Sequence, residues 1–350
     1  MRADVNKLMG GELGSWLDEQ QTMRLHAKET AHSRWTIAAM VLLPALAFLW
    51  FGPNWGGTLK LMISFVAVGG GYAWGYAPIQ KAKREIKIGI NSAIAGEIGV
   101  HYQHDVEPGH EFDAAKTYGL VPGCDRSSFE DHWYGELEGH GFSLYEAHLE
   151  ERRGSGKNRR WVTVFRGAVI RLEFGRKFRS TTLLQRAGKH KKWFGLGGRK
   201  DRVSFDGHEL AFVDQVHPAF EDVFEVWSDD QVEARVLVDP AYVEHLIGIE
   251  RAFKGDAVRA LFSKGEVIIA IESGNLFESG HIDSDGDRER ADETAKQFAS
   301  LAKLALSINK VERGAGTPPS GSAIDDARDN GASASTLGAG LGGGFGRKGI

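Results

Sequence analysis

Three histidines that lie close together in the sequence are the residues best suited to bind a metal ion. His101, His104 and His110 fall within ten residues of one another. Imidazole nitrogens are common zinc ligands, but His101 and His104 share a face only on a helix. Pro108 and Gly109 interrupt the segment and favour a loop. We therefore interpret these residues as surface histidines and assign no metal site, and metal binding is the alternative.

A second polar cluster has the residue types of an acid–base pair. Asp229, Asp230, Glu233 and Arg235 lie within seven residues. Neighbouring carboxylates divide the roles of acid and base when their environments separate their pKa values. A turn at a strand edge with one ion pair accounts for the same residues. We assign no catalytic residue and no cofactor, and a non-enzymatic protein is favoured over an enzyme.

A basic segment with acidic sequence on both sides is the clearest charge pattern. Residues 152–202 contain seventeen lysines and arginines but only two acids, whereas residues 88–151 and 203–298 are strongly acidic. Cations flank aromatic residues at its centre, and the predicted contact residues there are Lys189, Lys191, Lys192, Trp193, Phe194, Arg199 and Lys200. Such a loop places aromatic rings among lipid headgroups while its cations meet anionic lipid.

Two other interpretations of this basic segment are open. Its strands can pair with the acidic segments inside one sheet and leave a surface of mixed charge. Aromatic and basic loops also stack on nucleic-acid bases. The formal net charge of −4 and the membrane segments described next disfavour nucleic acid as a partner.

Two apolar runs near the start of the chain are long enough to cross a membrane. Trp35–Phe51 has seventeen residues without a charge, and Leu59–Ala77 has nineteen residues with Lys60 as the only charge. As helices they would be about 25 and 28 Å long, close to the hydrocarbon thickness of a bilayer. Seven basic residues flank the pair and one lies at the connector, so the positive-inside rule places both termini in the cytoplasm.

Small residues recur every four positions in the second run, at Ala67, Gly71 and Gly75. Such a stripe lets a partner helix approach closely in a membrane. The first run is the obvious partner, and a second copy of the chain is the alternative.

The remaining chain predicts an α+β domain with a mainly antiparallel sheet and flanking helices. The expected strands are Phe142–Leu149, Trp161–Phe174, Thr181–Gln185, Leu210–Val213, Phe224–Trp227, Glu233–Val238, Val258–Phe262 and Glu266–Glu272. Asp239 and Pro240 predict the start of a helix that runs to Phe253, and a last helix is expected over Glu289–Asn309. His101–Cys124 is rich in turn residues.

Four segments follow from these patterns. We predict a cytoplasmic amphipathic segment (1–34), a transmembrane hairpin (35–78), a cytoplasmic α+β domain (79–310) and a disordered Gly-rich tail (311–350). The hydrophobic fraction of 42% and charged fraction of 26% are those of a globular protein. A single cysteine excludes an intramolecular disulfide and suits a reducing compartment.

Three linked segments after the hairpin resemble a known bacterial family. They are VTVFRGAVIRLEFGRKFRSTTLL (162–184), FEDVFEVWSDDQVEARVLVDPAYVEHL (220–246) and FSKGEVIIAIESGNLFE (262–278). They are similar to the family catalogued as domain of unknown function 3137, over roughly residues 80–305. The resemblance implies a membrane-anchored bacterial protein with a cytoplasmic domain, and it supplies no catalytic residue, substrate or cofactor.

The sequence thus predicts a two-span protein of the bacterial inner membrane with a binding or scaffolding domain in the cytoplasm. Membrane lipid is the expected partner, and a membrane protein or a second copy of the chain is a further one. The alternative function is a membrane-tethered, metal-dependent enzyme.

Overall fold

Two structural units divide the chain between them. The structure is a computed structural model that describes residues 12–137, 139–174, 178–186, 201–214, 223–277 and 286–309. One unit holds the described residues up to Asn91 together with residues 286–291. The other unit, the sheet domain, holds Ser92–Phe277 and the described residues from Asp292 onward.

Six helices lie within the described residues. They are α1 (Glu12–Phe51), α2 (Gly57–Ile98), α3 (His110–Thr117), α4 (Gln231–Leu237), α5 (Pro240–Ala252) and α6 (Asp287–Asn309). The predicted connector separates α1 from α2, and Gly52 and Pro53 follow the last residue of α1. Each of these two helices continues well beyond its apolar run, so residues 12–34 and the first apolar run form one helix.

Helices α1 and α2 pack antiparallel to each other. Arg34 donates a hydrogen bond to the Trp74 carbonyl at 3.2 Å near one end of the pair. Lys60 donates to the Trp50 carbonyl at 3.1 Å near the other end. The second bond satisfies a carbonyl in the last turn of α1, which has no partner within its own helix.

Only one of the described helices is long and apolar enough, by length and composition, to cross a membrane. It comprises Ser15–Phe51, and its most apolar stretch has a mean hydropathy of 1.7. The predicted second span, Leu59–Ala77, does not reach that level because its second half is rich in Gly, Tyr and Trp. The two-span hairpin is therefore not confirmed.

A ten-stranded antiparallel sheet forms the second unit, which confirms the α+β class. Its strands are β1 (Val100–Asp105), β2 (Arg126–Leu137), β3 (His140–Arg153), β4 (Arg160–Glu173), β5 (Thr182–Arg186), β6 (Arg202–Phe205), β7 (His208–Phe212), β8 (Phe224–Ser228), β9 (Asp256–Ser263) and β10 (Glu266–Glu272). Their order in the sheet is β1-β2-β3-β4-β10-β9-β5-β8-β7-β6. The β9–β10 hairpin thus lies between β4 and β5.

Helices cover both faces of the sheet. Successive residues of β3 point to opposite faces: Tyr145 joins the core cluster that contains Phe112 of α3. On the other face, the Phe298 ring of α6 lies 6.1 Å from Phe142 and 4.5 Å from Trp133. The side chains of β3 therefore contribute to two separate cores.

The prediction of a strand at Glu233–Val238 is wrong, because this segment lies mostly in helix α4. The Asp230 carboxylate accepts hydrogen bonds from the backbone N–H groups of Val232 and Glu233, at 2.9 and 3.0 Å. This cap satisfies donors that a first helical turn leaves without partners. A capped start outweighed the alternating pattern of the next residues.

The turn-rich interpretation of His101–Cys124 is also wrong in part. The segment contains β1 and α3, and β1 pairs with β2 along its whole length. Residues of β1 alternate between more and less exposed positions, but apart from Val100 and Tyr102 they are polar. Two such residues are too short a hydrophobic alternation to predict an edge strand. The predicted α5 is confirmed, since the Asp239 carboxylate accepts from Tyr242 N–H at 2.7 Å.

Candidate functional site

The described part of the basic segment includes the turn of the β3–β4 hairpin. The two strands pair as far as Arg153 and Arg160, and a 3-10 turn at Gly156–Asn158 joins them. A Cβ at Gly154 would lie 2.4 Å from the Asn158 carbonyl oxygen, so this tight turn requires glycine there. The hairpin end is therefore a defined structure.

We call residues 152–161 the basic tip. Its five cations are all exposed: Arg152, Arg153, Lys157, Arg159 and Arg160. Among the described residues, Lys157, Arg159 and Arg160 have no ion-pair partner, while Arg153 pairs with Glu151 at 2.8 Å. The basic tip therefore carries positive charge that the described fold does not neutralise.

An aromatic ring accompanies these cations. Trp161 is 43% exposed at the start of β4, and the Arg126 guanidinium lies 4.6 Å from its ring centroid. A cation over an indole face gains about 0.5–1 kcal/mol at an exposed site. The basic tip thus combines cations with a large amphipathic side chain.

Cations inside the sheet are placed differently. Arg171 of β4 pairs with Glu266 of β10 at 2.7 Å, and Arg166 pairs with Glu146 of β3 at 3.0 Å. Arg186 of β5 contacts Glu250 in the same way. Cations of the basic strands therefore pair with acids of neighbouring strands and of α5, while the cations of the basic tip lie exposed at the end of the hairpin.

The predicted contact residues of the central loop cannot be placed. Lys189, Lys191, Lys192, Trp193, Phe194, Arg199 and Lys200 all lie outside the described residues. Their contact with lipid or a partner stays a prediction. The tail from residue 311 onward likewise lies outside them.

The glycine stripe of α2 faces α1 of the same chain. A Cβ at Gly71 would lie 2.8 Å from Leu42 Cδ1, and one at Gly75 would lie 2.0 Å from Trp35 Cδ1. Ala67, one repeat earlier, is half-buried. The two glycines thus let the helices approach closely, and pairing with a second copy stays a prediction.

Aromatic and cationic side chains gather at the end of the helix pair that carries both flanking sequences. The Trp35 and Tyr72 rings stack with their centroids 6.0 Å apart. The Arg34 guanidinium carbon lies 5.3 Å from the Trp74 ring centroid. A cavity of about 580 Å³ opens beside them, lined by Lys28, Glu29, His32, Ser33, Trp35 and Ile79. Amphipathic rings with nearby cations are typical of a membrane–water interface.

The three candidate histidines do not come together. His101 is exposed on β1, and its ring centroid lies 5.4 Å from that of Tyr134. His110 Nε2 lies 2.8 Å from Glu266 Oε2 on β10. His104 faces β2, where its Nδ1 lies 3.3 Å from Asp131 Oδ1. His101 and His104 lie three apart on a strand, so they point to opposite faces. The three histidines therefore do not converge on one site in the structure.

The polar cluster at Asp229–Arg235 serves the backbone. Asp229 accepts from Thr181 N–H at 2.8 Å, Asp230 caps α4, and Arg235 donates to the Asp214 carbonyl at 3.0 Å. Glu233 accepts from Ser180 N–H at 2.7 Å. Its burial raises the pKa, but hydrogen bonds from the backbone outweigh that effect and lower it. All four side chains of the cluster therefore bond backbone groups in and around α4.

Strand β3 carries a buried carboxylate, Glu146, that the sequence patterns did not single out. Glu146 of β3 accepts hydrogen bonds from Arg166 Nε at 3.0 Å and Leu276 N–H at 2.8 Å. Burial raises the pKa of this carboxyl to about 7 against the lowering effect of both bonds. A signal was present, because Glu146 continues the inward series of Phe142 and Leu144 in a predicted strand.

The comparisons with known proteins bear on the family. Residues 163–310 match the family model described as "Protein of unknown function (DUF3137)", which confirms the resemblance over this part of the chain. No curated protein matches the chain significantly. Among solved structures, the mycobacterial trehalose monomycolate transport factor A, TtfA, aligns at 13% identity with a TM-score of 0.33. The alignment covers 63% of this chain and 96% of that chain, and it is too weak to bear on fold or function.

Proposed function

We propose that this chain, whose residues 163–310 match the DUF3137 family model, is a membrane-anchored protein whose sheet domain docks on anionic lipid. The proposal comprises two spans, a cytoplasmic sheet domain and a scaffolding role. The observation that carries it is the basic tip, where three unpaired cations and Trp161 lie exposed on one hairpin.

The exposed side chains of α1 and α2 support the anchor. Large apolar residues project from both helices, among them Ile37, Met40, Val41, Leu43, Phe48 and Phe51 on α1 and Leu61, Met62, Phe65, Val66 and Val68 on α2. A continuous apolar surface of this kind marks an interaction site or a membrane contact. Since α1 and α2 pack together along this stretch, lipid that surrounds α1 would also contact α2.

The ends of the helix pair support the orientation. Trp35, Tyr72 and Trp74 lie with Arg34 at the end that carries both flanking sequences, and seven basic residues flank this end. Lysines and arginines favour the cytoplasmic side, and amphipathic rings favour the headgroup region. Both flanking sequences would then be cytoplasmic.

The expected docking strength follows from the charges of the basic tip. Each lysine or arginine near an anionic leaflet contributes about 1 kcal/mol, and the effect fades within a Debye length of about 10 Å at 0.1 M salt. The anchor keeps the sheet domain near the membrane at a high effective concentration. A few cations therefore suffice for reversible docking.

Hydrogen exchange of the full chain in nanodiscs tests this proposal. Peptides that cover residues 152–161 should exchange more slowly in discs with 30% phosphatidylglycerol than in discs of phosphatidylcholine alone. The triple variant Lys157→Glu, Arg159→Glu and Arg160→Glu should abolish the difference. The matched control Arg202→Glu, Lys254→Glu and Lys296→Glu makes the same change in charge at exposed residues elsewhere, and it should retain the difference.

Two results would overturn the docking. One is equal exchange of the basic tip in both kinds of disc. The other is an equal loss of protection in the test and control variants, which would show a general effect of net charge.

A further inference from the structure

The edge of the sheet brings together three side chains that the sequence does not group. His104 of β1 and the adjacent Glu130 and Asp131 of β2 each offer one ligand atom, and these atoms lie within 4.8 Å of one another. We propose that they form a divalent-cation site. The proposal is independent of lipid docking.

A β-bulge in β2 makes the arrangement possible. Adjacent residues of a regular strand point to opposite faces, which would separate Glu130 from Asp131. The β2–β3 register shifts between Glu130 and Trp133, and Asp131 has a φ of +61°. This conformation is uncommon outside glycine but is more accessible to Asp. The β1–β2 register places Asp131 opposite His104, and the bulge allows the adjacent Glu130 to share that side of the strand.

The distances suit a shared ion. His104 Nδ1 lies 3.3 Å from Asp131 Oδ1. Two ligands at about 2.1 Å from a tetrahedral metal lie about 3.4 Å apart. Closure of the site would then need mainly a rotation of the Glu130 side chain, which is 38% exposed.

Asp131 is the central ligand because of its burial and its orientation. Its side chain is fully buried, and a buried carboxylate requires a compensating charge or hydrogen bonds. Tyr102 donates a hydrogen bond to Asp131 Oδ1 at 2.6 Å. Tyr102 therefore bonds the same oxygen that faces His104. A carboxylate oxygen has two lone pairs, so this bond can hold the orientation of the carboxylate and leave one lone pair for an ion. His104 is 17% exposed, which leaves an approach from solvent.

One neighbouring cation competes with an ion. Arg166 Nη2 lies 3.9 Å from Glu130 Oε1, but the guanidinium is also held by Glu146 and by Asn275. Arg166 therefore keeps two other partners when Glu130 turns toward an ion.

The ligand set indicates the class of metal. One imidazole and two carboxylates suit Zn²⁺ or Mn²⁺, whereas Ca²⁺ and Mg²⁺ prefer oxygen ligands alone. The simpler arrangement is a direct hydrogen bond between His104 and Asp131, with no metal. The two differ in their response to added zinc.

Isothermal titration of the full chain in detergent tests the site. The protein is freed of affinity tags and treated with EDTA, then titrated with ZnCl₂ and separately with CaCl₂. We expect one zinc site that is at least tenfold weaker after His104→Gln, Glu130→Gln or Asp131→Asn, and no comparable calcium site. His110→Gln is the matched control, because it removes an exposed histidine that pairs with a carboxylate elsewhere.

If Asp131→Asn prevents folding, the Glu130→Gln variant still tests the site, because Glu130 is partly exposed and its replacement should not prevent folding. Absence of a zinc site in the unmodified chain would overturn the proposal, as would unchanged affinity in the His104 and Glu130 variants. An equal loss in His110→Gln would also overturn it, because the zinc would then bind at scattered surface histidines.

Discussion

Arg24 of α1 and Asp287 of α6 form a buried ion pair between residues 263 positions apart. Arg24 Nη2 donates to Asp287 Oδ2 at 2.6 Å, and 4% and 5% of the two side chains are exposed. Asp287 is the first residue of α6, where a carboxylate also interacts favourably with the positive end of the helix dipole. Both residues belong to the unit of α1 and α2.

Removal of one partner of this pair should destabilise that unit strongly. Arg24→Ala leaves the Asp287 carboxylate buried without its strongest partner, at an expected cost of about 3–5 kcal/mol. Thermal unfolding in detergent measures the loss. Lys81→Ala removes the exposed pair with Glu85 and should cost at most about 0.5 kcal/mol. Comparable losses in the two variants would show that the buried pair is not special.

Replacement of Gly75 should separate α1 from α2. The side chain of Gly75→Leu would overlap the Trp35 ring, since even a Cβ lies 2.0 Å from Trp35 Cδ1, and overpacking costs about 1–3 kcal/mol. Gly70→Leu is the control, because a Cβ there meets nothing within 4 Å. Calorimetry of the chain in detergent should show a lower transition temperature for Gly75→Leu alone. Equal transitions would mean that the glycine face does not touch α1.

The buried Glu146 should make the sheet domain less stable as the pH rises. Its folded pKa of about 7 exceeds the usual value of 4.5, so the folded state binds more protons between these two pH values. The free energy of unfolding therefore falls by up to about 1.4 kcal/mol per pH unit in this window. Unfolding of Glu146→Gln, measured from pH 4.5 to 8, should lack this contribution. A wild-type advantage that grows with pH would contradict the sign.

Loss of the Asp230 cap should weaken α4. Asp230→Ala leaves the N–H groups of Val232 and Glu233 without the acceptor they have now, at a cost of about 1 kcal/mol. Asp230→Ser is the matched variant, because a serine hydroxyl also caps a helix, and it should recover most of the stability. Chemical denaturation measures both. An equal loss in the two would show that the cap is not what stabilises the helix.

The sequence by itself determined the elements whose signals are local. The β-branched run Trp161–Phe174 became β4, the Asp239-Pro240 pair started α5, and the short connector at 263–265 joined β9 to β10. Each signal depends on neighbours a few residues apart, through strand alternation, a cap or a tight turn. The apolar runs predicted long helices for the same reason.

Pairings between distant segments depended on the tertiary structure. The insertion of β9–β10 beside β4 arises from packing across the whole sheet, and no local pattern encodes it. Edge strand β1 has only two residues, Val100 and Tyr102, that could signal a strand, because an edge strand can carry polar side chains. The residues of α4 alternate as in a strand, but the Asp230 cap starts a helix there.

The candidate sites divide in the same way. The sequence alone gives the positive charge of residues 152–202 and the four-residue spacing of Gly71 and Gly75, since both are properties of composition and spacing. The partner of Gly75, which is Trp35, and the approach of Asp131 to His104 required the fold. A bulge and an antiparallel helix pair orient these side chains, and both arise from contacts between residues that are distant in the chain.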